Sequence, residues 1–291
     1  MKWFRKKKKA PLHFEDAARF NWVLDTNQEL QEGMTRLAEQ FPRLTEESYT
    51  RKALKLFRKA GLELSAEDLK MVLLVSLTGC KESAPDHDAL WKAAMTDAVF
   101  SEDEEIRELV TLTKEDDQVI WDEAGERVLL LSWHDYDDAC APGGSIPTEY
   151  GDIWATSVGE MLTWYAQNRD GVEDWELRFA QLLGVHADEG YTRFTAFWVS
   201  PDDVIRPAYV TDVTKQMEND YTIVTDEAYK EWFDGNILWS YFESDYPWTR
   251  LGYTYDWSGG DSEYGLTEFL VSDGSKTEIA FTYPTAEFVD W

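Results

Sequence analysis

The spacing of apolar residues changes character near residue 115. Before it, apolar positions recur three and four apart, the signature of helices buried along one face. Residues 14–112 therefore read as a helical region. Capping signals mark its starts: Ser65 with Asp68, Ser83 with Asp86, and Ser101 with Glu104. Another helix opens at Thr45 with Glu46 and Glu47 and closes on Arg58 and Lys59 before Gly61. That charge order complements the helix dipole. Leu54, Phe57 and Leu62 fall on its inward face. The apolar run 71–75 belongs to the helix that opens at Ser65 and stops at Gly79. It is far shorter than the roughly 18–20 apolar residues of a membrane span.

Beyond residue 115 the period falls towards two, the spacing of strands. Residues 118–121 and 127–133 predict a hairpin around the turn 122–126. A polar loop follows, with Pro142, Gly143, Gly144 and Pro147. A short strand over 152–156 leads to a helix over 157–168, and a second helix runs over 173–183. Residues 192–200 alternate as a strand. Ser200-Pro-Asp-Asp begins a turn or short helix, and Thr225-Asp-Glu opens a helix to about Phe233. Strands are predicted over 249–257, 265–271 and 277–283. The fold class expected is α+β: a helical N-terminal part, then a mixed domain with a largely antiparallel sheet. The domain boundaries expected are a basic tail over 1–13, unstructured by composition, a helical region over 14–112 and an acidic α+β domain over 113–291.

The most distinctive segment is Tyr246-Pro-Trp-Thr-Arg-Leu-Gly-Tyr-Thr-Tyr-Asp-Trp257. Strand alternation would place Leu251, Tyr253, Tyr255 and Trp257 on one face, and Arg250, Gly252, Thr254 and Asp256 on the other. The aromatic face reads as core. The polar face reads first as solvent-facing; the functional alternative is that Arg250 and Asp256 flank a groove opened by Gly252, and Arg250 is expected to be accessible or paired with a carboxylate outside the core.

The run Pro247-Trp-Thr-Arg-Leu-Gly-Tyr-Thr-Tyr-Asp-Trp257, with Ser262-Glu263-x-Gly265-Leu266-x-Glu268-Phe269 after it, resembles the C-terminal signature of an uncharacterised bacterial protein family. The resemblance extends to the strand 128–133 with the loop 135–138, and to Trp154-Ala-Thr156 with Glu160. It covers roughly residues 115–291 and leaves the helical part unmatched. It implies a fold unit, without an activity.

Charge sharpens the partition. Residues 1–100 hold 17 Lys+Arg and 15 Asp+Glu, whereas residues 101–291 hold 11 and 42 and contain 11 of the 14 tryptophans. A net charge of −29 repels phosphates, so nucleic acid is not an expected partner. It favours a basic protein instead. No membrane insertion is expected; Trp3, Phe4 and the basic run 5–9 allow weak surface contact at the N-terminus. Two cysteines, Cys80 and Cys140, without C-x-x-C spacing, fit a reducing, cytoplasmic setting. Nothing in the pattern fixes an oligomeric state.

The chain has no Walker loop, no G-x-G-x-x-G, no G-x-S-x-G and no zinc-protease helix, and no cofactor is expected. The loop Trp133-His134-Asp135-Tyr136-Asp137-Asp138 could present oxygen ligands, but a solvated acidic loop is the simpler reading. Of the four histidines (13, 87, 134 and 186), His134 has the best position for a general base. The candidate binding residues are thus Trp133, His134, Asp135, Asp137, Asp138, Trp248, Arg250, Asp256 and Glu263, with no catalytic or metal residue assigned. They point first to a non-enzymatic acidic binder, such as an immunity- or antitoxin-like inhibitor of a basic protein. Two other readings are a carbohydrate or polyol binder or hydrolase using paired carboxylates among Asp135, Asp137, Asp256 and Glu263, and a structural adaptor. For the loop itself, millimolar Ca²⁺ or Mg²⁺ should have little effect on the melting temperature; a rise of several degrees, lost in Asp137→Ala, would establish a cation site there.

Overall fold

The computed structural model describes Val23 and residues 26–39, 46–62, 64, 87–136, 141–146, 151–244, 246–260 and 262–289. The helix expected from Ser65 to Gly79, the basic tail, and Asp137 and Asp138 lie outside these residues. The chain is α+β; the described residues form seven α-helices and a six-stranded sheet. It divides into two compact units, one formed by residues up to Glu102 together with Asp220–Trp248, the other by Asp103–Asn219 with Thr249–Trp291. Among the described residues, no helix is long and apolar enough to cross a membrane.

In the first unit, α1 (Gln28–Glu39) and α2 (Glu46–Lys59) bury apolar stripes. Leu30, Met34 and Leu37 are buried on one, Ala53 and Phe57 on the other. Lys59 of the basic last turn reaches Glu29 of α1. Helices α3 (His87–Asp97) and α6 (Glu227–Leu238) belong to the same unit. The Tyr241 hydroxyl, just past α6, donates to the Ala98 carbonyl at 2.9 Å, and Trp91 meets Tyr246 edge-on at 6.5 Å. These links tie the late segment to the N-terminal helices. Ser101 does not open a helix. Only a short 3₁₀ turn forms, Asp103–Glu105, at the start of the second unit.

The second unit carries β1 (Val128–His134), β2 (Ile153–Ser157), β3 (Arg193–Val199), β4 (Val204–Ile205), β7 (Phe269–Val271) and β8 (Thr277–Pro284), in the order β4-β7-β2-β1-β3-β8. Every pairing within it is antiparallel. A separate hairpin, β5 (Tyr253–Tyr255) with β6 (Tyr264–Thr267), completes the strands. Strand β1 is buried along nearly its whole length because both sheet faces are covered. On one face Val128 and Leu130 join Phe197, Val199, Phe269 and Val271 in a core that also takes Val110, Leu112 and Val213. On the other, Trp133 and Phe194 meet Phe179 of α5 (Trp175–Leu182) at 6.3 and 4.8 Å. Phe288 of the terminal helix α7 (Thr285–Phe288) closes onto Phe194 at 4.4 Å.

Helix α4 (Val158–Asn168) begins at β2 with almost no clearance. The Ser157 hydroxyl donates to the Gln118 carbonyl at 2.5 Å. A Cβ on Gly159 would lie 2.2 Å from that same oxygen. Gly159→Ala should therefore lower stability by about 1–3 kcal/mol through overpacking, despite the better helix propensity of Ala. Urea denaturation checks it; a neutral or stabilised variant would mean that α4 and the 118 turn can separate freely.

Candidate functional site

The hairpin β5–β6 is where the distinctive sequence meets the most polar interior. It sits on the C-terminal end of α5. A Cβ on Gly265 would approach the Leu182 carbonyl oxygen to 2.3 Å and the Thr254 carbonyl oxygen to 2.5 Å, so only glycine lets the strands this close. The Thr254 hydroxyl donates to the Leu182 carbonyl at 2.7 Å and accepts from the Leu266 amide at 2.9 Å. The Trp257 indole donates to the Ala180 and Val185 carbonyls at 3.1 and 3.0 Å, sharing the Ala180 oxygen with the Val185 amide just past the end of α5. Arg178 of α5 grips Asp256 with both guanidinium nitrogens, at 3.2 and 2.6 Å, and lies 4.7 Å over the Trp164 ring. Such a two-point grip fixes geometry as well as charge.

On the other side of the hairpin, Glu160 of α4 turns its carboxylate onto β6. Its Oε2 accepts from the Thr267 amide at 2.8 Å; its Oε1 accepts from the Tyr264 hydroxyl at 2.9 Å and the Thr267 hydroxyl at 3.1 Å. Burial raises its pKa to about 7 against the pull of these donors. Burial also drives the Tyr264 phenol well above its ordinary value, with the Glu160 charge adding to it. Next along the chain, Glu268 has a buried Oε2 that meets no hydrogen-bond partner among the described residues, and burial raises its pKa to about 8. Arg206 is fully buried; it donates to the carbonyls of Val110, Asp212 and Lys215 at 2.9, 3.1 and 2.5 Å. Its pKa falls to about 10 through burial.

The structure scatters the residues expected to bind. Trp133 is buried in the aromatic core, with its indole on the Thr285 hydroxyl at 3.1 Å. His134 is buried, and that burial lowers its pKa to about 4. Its Nδ1 accepts from the Tyr136 amide, which leaves the proton on Nε2, facing the Thr195 hydroxyl at 2.7 Å. Thr195 thus receives a hydrogen bond and is itself fully buried. This arrangement orders a sheet end and does not activate a hydroxyl, so the general-base expectation for His134 is not supported. Asp135 is exposed beside Tyr136, the one large apolar side chain exposed among the described residues. Trp248 is buried in the first unit against Trp232 and Phe233, at 5.9 and 5.0 Å.

Arg250 corrects the reading of the signature as one strand. It is fully buried, not accessible, and has φ 62°; Gly252 follows with φ 82°. Two left-handed residues break the alternation, so only Tyr253–Tyr255 is strand. The polar face is covered as well as the aromatic one: Thr254 and Asp256 are buried. Trp257 is in the core as the alternation requires, whereas Tyr255 is only half-buried. Asp256 and Glu263 are brought together at the loop end of the hairpin, where the Asp256 amide donates to the Glu263 carbonyl at 2.8 Å. Each carboxylate is already held by an arginine, Asp256 by Arg178 and Glu263 by Arg107 at 3.1 Å.

Sequence reasoning did not place Arg178, Arg206 or Tyr264 in a site. Glu268 carried a usable signal, since it is the lone charge in the otherwise strand-like run Gly-Leu-Thr-Glu-Phe-Leu-Val. None of the 11 described tryptophans is exposed. What does reach solvent is acid. The α4–α5 turn presents Asp170, Glu173, Asp174 and Glu176 around the half-buried rings of Trp164, Tyr165 and Trp175. Tyr165 and Trp175 lie 5.0 Å apart. Among the described residues no group of His, Cys, Asp and Glu is arranged to hold a metal ion.

Comparison with models of protein families, with curated proteins and with solved structures finds no match to this chain. The Arg178–Asp256 grip makes a direct prediction. Arg178→Ala and Asp256→Ala should each cost about 3 kcal/mol, because either change strands a largely buried charge. The double variant should cost clearly less than the two singles combined. Single losses below about 1 kcal/mol, the value of an exposed pair, would contradict this placement.

Proposed function

We propose that this protein is a non-enzymatic acidic binding protein that takes a basic protein as its partner in the cytoplasm, in the manner of an immunity- or antitoxin-like inhibitor. One observation carries the reading. The unit of Asp103–Asn219 and Thr249–Trp291 holds 10 Lys+Arg against 34 Asp+Glu, and it spends most of its cations internally. Arg107, Arg127, Arg178 and Lys215 are in ion pairs, Lys114 lies over the Trp121 ring, and Arg206 and Arg250 are fully buried. The exposed carboxylates are left with few neighbouring cations. A surface of that kind concentrates a cationic partner and speeds its arrival, at rates that fall steeply with salt.

The α4–α5 turn is the favoured contact. Its acids supply the steering, and its half-buried rings can supply an anchor once water is excluded around them. The engagement of Asp256 and Glu263 by arginines supports binding over acid–base hydrolysis. The resemblance of the 247–257 signature to an uncharacterised bacterial family adds a fold unit and no competing activity.

The test is retention of a panel of purified proteins of pI above about 9 on the immobilised protein. Retention is expected at about 0.01 M salt and release at about 1 M, where charges are screened within a few ångströms. Replacing Asp170, Glu173 and Glu176 together by Lys should slow association with a retained protein at least about tenfold at low salt. Retention of no basic protein, or binding indifferent to salt, would overturn the reading.

A further inference from the structure

The carboxyl of Glu160 stands between two hydrogen-bonding arrangements that the same heavy atoms permit. As an anion it accepts from the Tyr264 hydroxyl, the Thr267 hydroxyl and the Thr267 amide. The Tyr264 oxygen also lies 3.3 Å from the Glu108 carbonyl oxygen and 3.4 Å from the Thr267 hydroxyl. A proton on Glu160 Oε1 would reverse the chain. The acid would donate to the Tyr264 oxygen, and the phenol would donate onward to the Glu108 carbonyl. The Thr267 amide bond to Oε2 survives in both arrangements, and the Thr267 hydroxyl accepts from the Val110 amide at 2.9 Å in both.

We propose that Glu160, Tyr264 and Thr267 form a proton-operated latch between α4 and β6, closed most firmly when Glu160 carries the proton. The groups around the carboxyl are few. Tyr264 and Thr267 face it from β6. Asp116 faces it from the 111–118 turn and disfavours the anion, and Arg206, beyond β4, lies within electrostatic reach and favours it. Asp116 is itself held by the Thr111 amide at 2.7 Å and the Gln118 amide at 3.0 Å, so its charge is fixed in place. The balance falls near neutrality, with the Glu160 pKa at about 7, because burial outweighs the three donors.

The sign of the effect follows from linkage. A carboxyl that binds its proton more tightly when folded stabilises the fold below its unfolded pKa of about 4.5. That contribution is lost as pH rises through the folded value of about 7. Within this window the folding equilibrium constant attributable to Glu160 changes towards about tenfold per pH unit. Two other groups act nearby. Glu268 has the same sign and extends to about pH 8. His134 has the opposite sign between about 4 and 6.5, being held neutral by burial. Comparison of the protein with Glu160→Gln, which fixes a neutral side chain of the same shape, removes both contributions.

Urea midpoints of the full chain and of Glu160→Gln should be measured across pH 5 to 8.5. The native chain should lose stability relative to Glu160→Gln as pH rises through the window, with the difference levelling above about pH 7.5. In parallel, the Glu160 carboxyl and the Tyr264 ring carbon bearing the hydroxyl should be followed by ¹³C NMR in the unsubstituted protein. This keeps the test independent of whether the variant folds. Both resonances should move together with a midpoint near 7, as a merely structural Tyr264 would not. A Glu160 midpoint near the ordinary 4.5, a Tyr264 resonance that does not follow it, or parallel stability profiles for the two proteins would each overturn the latch.

Discussion

Everything in the acidic unit depends on how closely the β5–β6 hairpin can approach the end of α5. At Gly265 the gap admits no Cβ. That proximity takes the Thr254 hydroxyl, the Trp257 indole and the Asp256 carboxylate out of water together. Each would be a large liability without a partner. Each has one: carbonyls at the end of α5 for Thr254 and Trp257, and the Arg178 guanidinium for Asp256. The hairpin is therefore a clasp. One side engages α5 through Arg178, and the other engages α4 through Glu160. With α4 placed by β2 and α5 stacked on Trp133 and Phe194, the clasp closes the layer of helices against the sheet.

The same economy shapes the surface. A chain with 28 Lys+Arg and 57 Asp+Glu cannot neutralise itself, and this one places several of its cations where they hold structure. Arg206 gathers four carbonyls, Arg178 grips the hairpin and Arg127 ties Asp122 to Glu278. The carboxylates left outside repel one another, which costs stability but favours solubility and a cationic partner. Internal architecture and the proposed binding role thus draw on one allocation of charge.

Much of the fold was legible in the sequence because it rests on local periodicity. The strands β1, β3 and β8, the helices α2, α4 and α5, and the 3₁₀ turn after Ser200 fall where spacing and caps place them. The α+β class follows from the same pattern. The signature was misread where a non-glycine residue, Arg250, takes a left-handed conformation, which no alternation rule anticipates. Alternation also assumes one wet face, whereas the hairpin is covered on both. The tryptophans followed the same logic, since their abundance signalled aromatic packing and not exposure. The return of residues 220–248 to the N-terminal helices is a long-range pairing, carried by contacts such as Tyr241 on Ala98, and leaves no local trace. Within the site, Glu268 was visible as a charge in an apolar run. The partnership of Glu160 with Tyr264 joins residues 104 positions apart and was not visible.

The central claim is that the 247–257 signature and the strand after it act as a structural clasp for the acidic unit. Native-state amide hydrogen exchange tests it most directly. If the clasp holds the unit together, the amides of Asp256, Leu266 and Thr267 exchange only when the whole unit unfolds, with the same opening free energy as the β1 and β3 amides. If instead the hairpin is a mobile surface element, those three amides exchange through local opening, well before β1 and β3, and the account fails.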